Sequence, residues 1–299
     1  MKYLIIFIFI FFCKFSFGGN DSTATRHPGR IWSTSLTGTV AYTGSVILLN
    51  NQWYKDYPRT RFHLFDDSGE WLQMDKAAHV FDGYQLSRAG EGIFRYCGMD
   101  KNKAAWFGTL PGFIALSTIE IFDGFSGGWG FSVYDMAANL AGGLMYAGQQ
   151  EAWDEQRVFI KYSFHKTTYA QYRPGLLGSN MAENILKDYN GQTYWLSCNI
   201  PSFLGKENRF PRWLNIAFGY AAEGMTGGHA NPDSVSNVAI PFFPRSRQYF
   251  FSLDVDFGRI KTNSKILSTV FSVINTVKIP FPAVEYNSRY GVKFYPFYF

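Results

Sequence analysis

Apolar side chains change their period at Trp153, and that change constrains the fold more than any other feature of the chain. Before it, apolar residues recur at helical spacing; after it, they alternate. In "RQYFFSLDVDFG", Tyr249, Phe251, Leu253, Val255 and Phe257 oppose Gln248, Ser252, Asp254 and Asp256. "QRVFIKYSFH" sets Val158, Ile160, Tyr162 and Phe164 against Lys161, Ser163 and His165, and "WLNIAFGY" repeats the pattern. Strict alternation marks a strand with one apolar face, soluble or membrane-spanning. The expected fold is α+β: an N-terminal, membrane-associated four-helix bundle over residues 33–156, then a mainly antiparallel β region of about five strands over residues 157–299.

The surface implied by the composition is unusually apolar. Only 17% of residues are charged while 19% are aromatic, with 30 Phe and 19 Tyr; soluble domains carry roughly a quarter charged residues. Contact with lipid accounts for such a balance. The formal charge of +5 is mild, and its Lys and Arg are scattered, which argues against nucleic acid. The start, "MKYLIIFIFIFFCKFSFGGN", sets Lys2 before an apolar run from Tyr3 to Phe12 and small residues at Ser16 and Gly18. That is the layout of a secretory signal over residues 1–18. Phe11 and Phe12 sit where lipoprotein processing at Cys13 needs small residues. Cys97 and Cys198 remain after the leader; their spacing matches no zinc motif and leaves their pairing open.

The chain stops on an extended run, "GVKFYPFYF", with Tyr295 and Phe297 expected on one face. Outer-membrane barrels commonly end on such a strand with a terminal aromatic residue. Lys293 interrupts the apolar face and Pro296 removes a ladder donor, so an ordinary buried terminal strand is the alternative.

Charge enters the helical half in "WLQMDKAAHVFDGYQLSR". At 100° per residue, Asp75, His79 and Asp82 share one stripe, opposite Met74, Ala77, Ala78 and Phe81, with Lys76 on a flank. Glu120 and Asp123 share a face in "LSTIEIFDGF"; Asp135 and Asn139 repeat the four-residue spacing in "SVYDMAANLAGG". Polar groups in apolar surroundings are satisfied most cheaply by one another. The expectation is one interior site, with His79, Asp75, Glu120 and Asp135 as catalytic candidates and Lys76, Asp123 and Asn139 as ligand-binding ones. Three uses compete. Interhelical pairs, such as Lys76 with Glu120 or Asp135, would fix the bundle. An acid/base histidine between acids would do chemistry. One histidine with several carboxylates would hold a divalent metal. The residues leave the cofactor and the metal unknown.

"DKAAH" at Asp75–His79, followed by "IEIFDGFS" and "SVYDMAANLAGG", resembles a bacterial envelope family of predicted periplasmic proteins of unknown function that includes the YfiM lipoproteins. The likeness covers roughly residues 33–156, and the later half, with "DYNGQTYWLS" and "SLDVDF", resembles long members from Bacteroidota-type bacteria. More remotely, the order Asp-Lys-x-x-His, Glu, Asp-x-x-x-Asn-x-x-Gly resembles VanZ-like membrane proteins. The resemblance implies an envelope location and singles out the same seven residues; it implies no reaction. The leading expectation is an exported protein, in the outer membrane or on the periplasmic face, that binds a lipid or lipid-linked headgroup in the polar site. The alternatives are a hydrolase or transferase on a lipid-linked substrate with His79 as acid/base, and a structural subunit meeting an outer-membrane protein partner.

Overall fold

Capping residues and proline set the helix ends in the first half. Pro28 occupies the first turn of α1 (Pro28–Leu49), where its missing N–H costs nothing. After a 3-10 turn at Glu70–Gln73 comes α2 (Met74–Tyr96). Asp100 caps α3 (Lys101–Gly124), its carboxylate accepting from the N–H groups of Asn102 and Lys103. Ser132 caps α4 (Val133–Trp153) by accepting from the Asp135 N–H, and Asp154 closes it in the left-handed conformation. In this computed structural model residues 27–50, 54, 57–204, 209–235 and 237–299 are described; the leader expected over residues 1–18 lies outside them.

The chain divides into two compact units. The helical unit takes the residues up to Asp67 together with His79–Gln156; the sheet unit takes Ser68–Ala78 together with Arg157–Phe299. The first turn of α2 thus groups with the strands. Cys97 and Cys198 are both free.

Backbone contact holds the helical unit together. Gly90 of α2 lies so close to Gly108 of α3 that a Cβ at Gly90 would stand 2.1 Å from the Gly108 carbonyl oxygen. Gly142 of α4 meets the Val80 carbonyl of α2 in the same way, at 2.1 Å. Small-residue stripes of this kind let helices approach without a large apolar seam between them. A modest cluster of Leu49, Leu86, Ala115, Leu116 and Ile119 completes the core. Elsewhere the unit's interior is polar: Gln85, Ser87, Glu91, Gln149 and Gln150 are buried. Its large apolar side chains point out, including Trp32 (77% exposed), Leu36 (67%) and Val40 (64%) on α1. Phe107, Leu110 and Ile114 on α3, and Leu140 and Leu144 on α4, are exposed too. Among the described residues α3 is long and apolar enough to cross a membrane by length and composition. It does so because its charges, Lys101, Lys103, Glu120 and Asp123, are confined to its ends.

In the sheet unit six strands follow one another as antiparallel neighbours: β1 (Val158–Phe164), β2 (Gln192–Asn199), β3 (Leu214–Glu223), β4 (Ser246–Val255), β5 (Phe281–Asn287) and β6 (Gly291–Tyr298). This is one strand more than the periodicity predicts, because "VKIPFPAVEYN" carries its alternation past two prolines. A short helix, α5 (Lys265–Ile274), capped by Ser264, precedes β5.

The register aligns like side chains across the whole sheet. Ile160, Leu196, Phe218, Phe251, Val284 and Phe294 form one row. From β2 to β6 that row lies open, with Leu196, Phe218, Phe251, Val284 and Phe294 between 42% and 61% exposed. The opposite face is buried and polar: Lys161, Ser163, Thr193, Ser197, Asn199, Asn215, Ser252, Asp254 and Glu285 are all at most 2% exposed. Ordinary one-sided sheets are apolar inside and polar outside; this one is reversed.

Side chains meet across the concave face because the sheet curls. Lys161 on β1 reaches Asp254 on β4 at 2.7 Å, although three strand spacings along a flat sheet span about 14 Å. Lys161 Nζ also donates to the Val255 carbonyl at 2.7 Å and to Asn275 Oδ1 at 3.0 Å. The apolar part of the inside is small, with Trp195, Ala217, Ala221, Phe250, Ala283 and Tyr298. Gly219 makes room for it, since a Cβ there would stand 2.8 Å from the Trp195 ring.

β6 corrects one expectation. Tyr295 and Phe297 do not share a face: Tyr295 turns inward and donates to Glu285 Oε2 at 2.7 Å, while Phe297 is 78% exposed. The register between β5 and β6 shifts between Phe281 and Ala283, and an irregularity of this kind, opposite Pro296, inverts the alternation.

Candidate functional site

Three helices bring polar side chains to one point inside the helical unit. On α4, Asp135 and Asn139 are one turn apart and face α2, and each takes one edge of the His79 ring. Asn139 Oδ1 lies 2.9 Å from Nδ1. Because an amide oxygen only accepts, Nδ1 carries the proton of that hydrogen bond. Nε2 faces the carboxylates, with Asp135 Oδ1 at 3.5 Å and Glu120 Oε1, from α3, at 3.9 Å. His79, Glu120 and Asn139 are each 1% exposed and Asp135 is 5% exposed.

The carboxylates are themselves held. Ser132, the α4 cap, accepts from the Asp135 N–H at 3.0 Å and donates its hydroxyl proton to Asp67 Oδ1 at 2.6 Å. Its own N–H points to Glu120 Oε2 at 3.4 Å. Asp135 lies in the first turn of α4, where the helix dipole favours an anion. Asn139 Nδ2 has no hydrogen-bond partner among the described residues.

Of the seven residues singled out from sequence, His79, Glu120, Asp135 and Asn139 are thus gathered. Asp123 turns aside one helical turn after Glu120 and accepts from the Tyr54 hydroxyl at 2.6 Å. Asp75 and Lys76 lie in the part of α2 that groups with the sheet unit. There Lys76 pairs with Asp75 at 3.1 Å, and Asp75 accepts from the Tyr189 hydroxyl. Asp75 stays on the same face of α2 as His79, one turn before it. The group that fixes the imidazole is Asn139, which was singled out from sequence as a ligand-binding candidate. Sequence reasoning missed Asp67 and Tyr54, because both precede α2 outside any periodic run. Ser132, which lies just before α4, was not singled out either, because its part depends on contacts with Asp67 and Glu120 that are distant in the chain.

Chemically the arrangement offers one oriented imidazole nitrogen with a carboxylate oxygen of Asp135 at 3.5 Å and one of Glu120 at 3.9 Å. Such a set can relay a proton or hold a cation. Elsewhere in the helical unit an apolar cleft of about 830 Å³ lies between α1, α2 and α3. Ile31, Tyr42, Ile93, Phe94, Phe107 and Ile114 are among its walls, and its charged lining consists of Asp100 and Lys103. The Asp100 carboxylate is already engaged in capping α3. Gly38 borders the cleft, and a Cβ there would meet nothing within 4 Å.

No curated protein and no solved structure matches the chain. Residues 63–147, a stretch that takes in α2, α3 and most of α4 and with them His79, Glu120, Asp135 and Asn139, match the model of a family described as "Predicted periplasmic lipoprotein (DUF2279)" and of unknown function.

Proposed function

We propose that this protein is exported, sits in an envelope membrane, the outer membrane of a bacterium, and binds a lipid there. The observation that carries the reading is the reversed polarity of its surfaces. Large apolar side chains face outward from α1, α3, α4 and β2–β6, while lysine, acids and amides are buried. Burying those polar groups costs free energy that water-facing apolar residues do nothing to recover; in hydrocarbon the same arrangement is favourable. The cleft supplies the lipid reading. Its apolar walls suit an acyl chain, and Lys103 offers a cation to an anionic headgroup or a lipid-linked phosphate.

The test is lipid retention by the protein purified in mild detergent. Extraction and mass spectrometry should recover about one lipid per wild-type chain, and Gly38→Trp, which fills the cleft from an open position, should lose most of it. Recovery of the protein from the soluble periplasm without detergent, with no lipid bound, would end this reading. Co-purification of a stoichiometric protein in place of lipid would instead favour the structural-subunit alternative.

A second reading, a hydrolase or transferase acting on a lipid-linked substrate, is supported by the His79 geometry. An imidazole fixed through Nδ1 by Asn139, with Nε2 toward Asp135 and Glu120, is positioned as an acid/base. His79→Gln separates the two readings: loss of turnover with lipid retention intact assigns the chemistry to His79.

A further inference from the structure

We propose that Lys161 and Asn275 join in a covalent isopeptide bond inside the sheet unit, formed by the protein itself with release of ammonium. The bond is independent of any lipid. Backbone pairing brings the two side chains together. The chain leaving α5 runs beside β1: the Tyr162 N–H donates to the Thr276 carbonyl at 3.0 Å, and the Lys278 N–H to the Tyr162 carbonyl at 2.9 Å. Asn275, which ends α5, therefore comes alongside Lys161, although 114 positions separate them. Nζ of Lys161 stands 3.0 Å from Asn275 Oδ1. Cγ lies one C=O bond of about 1.23 Å farther on, so Nζ is at most about 4.2 Å from the carbon it attacks. Reacting atoms in a near-attack arrangement stand about 3–3.5 Å apart, so a shift of about 1 Å suffices.

Every group that an amide exchange needs is in place. Asp254 Oδ2, 2.7 Å from Nζ, takes the proton that frees the amine to attack. The Phe257 N–H donates to Asn275 Oδ1 at 3.0 Å, polarising the carbonyl and holding the oxyanion that forms there. Asn275 Nδ2 donates to Asp256 Oδ1 at 3.1 Å, which sets that carboxyl group beside the leaving nitrogen. Burial pushes the Asp256 carboxyl above its ordinary range, against the charges of Lys161 and Arg259, and so suits it to carry a proton. Lys161, Asp254, Asp256 and Asn275 are all at most 2% exposed, which keeps water from competing with the amine.

The step balances without a co-reactant. Nζ bonds to Cγ as the bond from Cγ to Nδ2 breaks. Of the three protons on the lysine ammonium, one stays on the new amide. The other two pass by way of the carboxylates to the departing nitrogen, which leaves as ammonium. Both carboxylates end as they began. Neither is left without a counter-charge, since Lys278 acts on Asp254 and Arg259 pairs with Asp256 at 3.0 Å. Ser197 goes on donating its hydroxyl proton to Asp254 at 2.6 Å.

The experiment takes the full chain purified in detergent, denatures it and digests it with trypsin for mass spectrometry. Trypsin does not cut after a lysine whose amine is acylated. Residues 158–166 should therefore be recovered joined to residues 266–278, about 17 Da below the sum of the two peptides. Recovery of free peptides 158–161 and 266–278 from the wild type would overturn the proposal. So would a link from Lys161 to Asp254, which the loss of water in place of ammonia would reveal. Asn275→Ala removes the amide and should restore cleavage after Lys161. Asp256→Asn keeps both reacting groups and should leave most of the chain unjoined; undiminished joining in it would overturn the part given to Asp256. The wild-type digest decides the bond itself even if neither variant folds.

Discussion

Lys278 shows at the scale of one residue what a polar interior costs. It is 1% exposed, its ammonium 4.6 Å above the Trp195 ring, and it donates to the Ile279 carbonyl at 3.1 Å. Burial, resisted by the charge of Asp254 and reinforced by that of Lys161, pushes its pKa down from 10.5 to about 8. A lysine whose pKa falls on folding disfavours the folded state wherever the ammonium persists. Below pH 8 both states are charged and the penalty is full; between about 8 and 10.5 the unfolded chain binds more protons, so stability rises with pH. Thermal unfolding across that window should show a rising midpoint in the wild type. Lys278→Met should remove the rise and unfold at a higher temperature at pH 7. A flat wild-type profile would mean that Lys278 is solvated in the folded protein.

At the scale of elements, the helices and strands were legible because apolar period and capping agree in them. Ser132 and Asp135, for example, announce α4 before any packing is known. The gathering of His79, Glu120, Asp135 and Asn139 was legible for the same reason, since i, i+4 spacing fixes which side chains share a helix face. What was not legible depended on contacts distant in the chain. Alternation in β4 separates Tyr249 and Phe251 from Ser252 and Asp254 without saying which set is buried. Asp123 was grouped with Glu120 by spacing, yet Tyr54 draws it away. The β5–β6 irregularity, which sends Tyr295 and Phe297 to opposite faces, needs the partner strand to be known.

The glycine contacts in the helical unit carry a prediction of their own. A Cβ at Gly90 would lie 2.1 Å from the Gly108 carbonyl oxygen, backbone that cannot swing aside as a side chain could. Gly90→Ala should therefore force α2 from α3 and destabilise the unit by roughly 1–3 kcal/mol, against the small gain in helix propensity. Gly148, where an added Cβ meets nothing within 4 Å, is the control: Gly148→Ala should be neutral or stabilising. Comparing their unfolding midpoints separates backbone contact from helix propensity, and equal effects would refute the close approach.

For the molecule as a whole, the same inversion recurs in each unit considered by itself. In the sheet unit even the short helix obeys it: Ile266, Leu267, Val270, Val273 and Ile274 of α5 are exposed, while Ser272 is buried. A binding face for one protein partner would need such residues on one patch; here they recur on five neighbouring strands and a separate helix. The proposed lipid surrounding would satisfy all of them, and that proposal predicts a period-two signature. Nitroxide labels placed singly at positions 249, 251 and 253 of the protein in liposomes should be relaxed strongly by oxygen, which concentrates in hydrocarbon, and weakly by a water-soluble nickel chelate. Labels at 248, 252 and 254, whose native side chains are at most 6% exposed, should respond weakly to both. Were 249, 251 and 253 to respond to the nickel chelate instead, the apolar face would be meeting water, and its burial would have to come from a second copy of the chain or another protein.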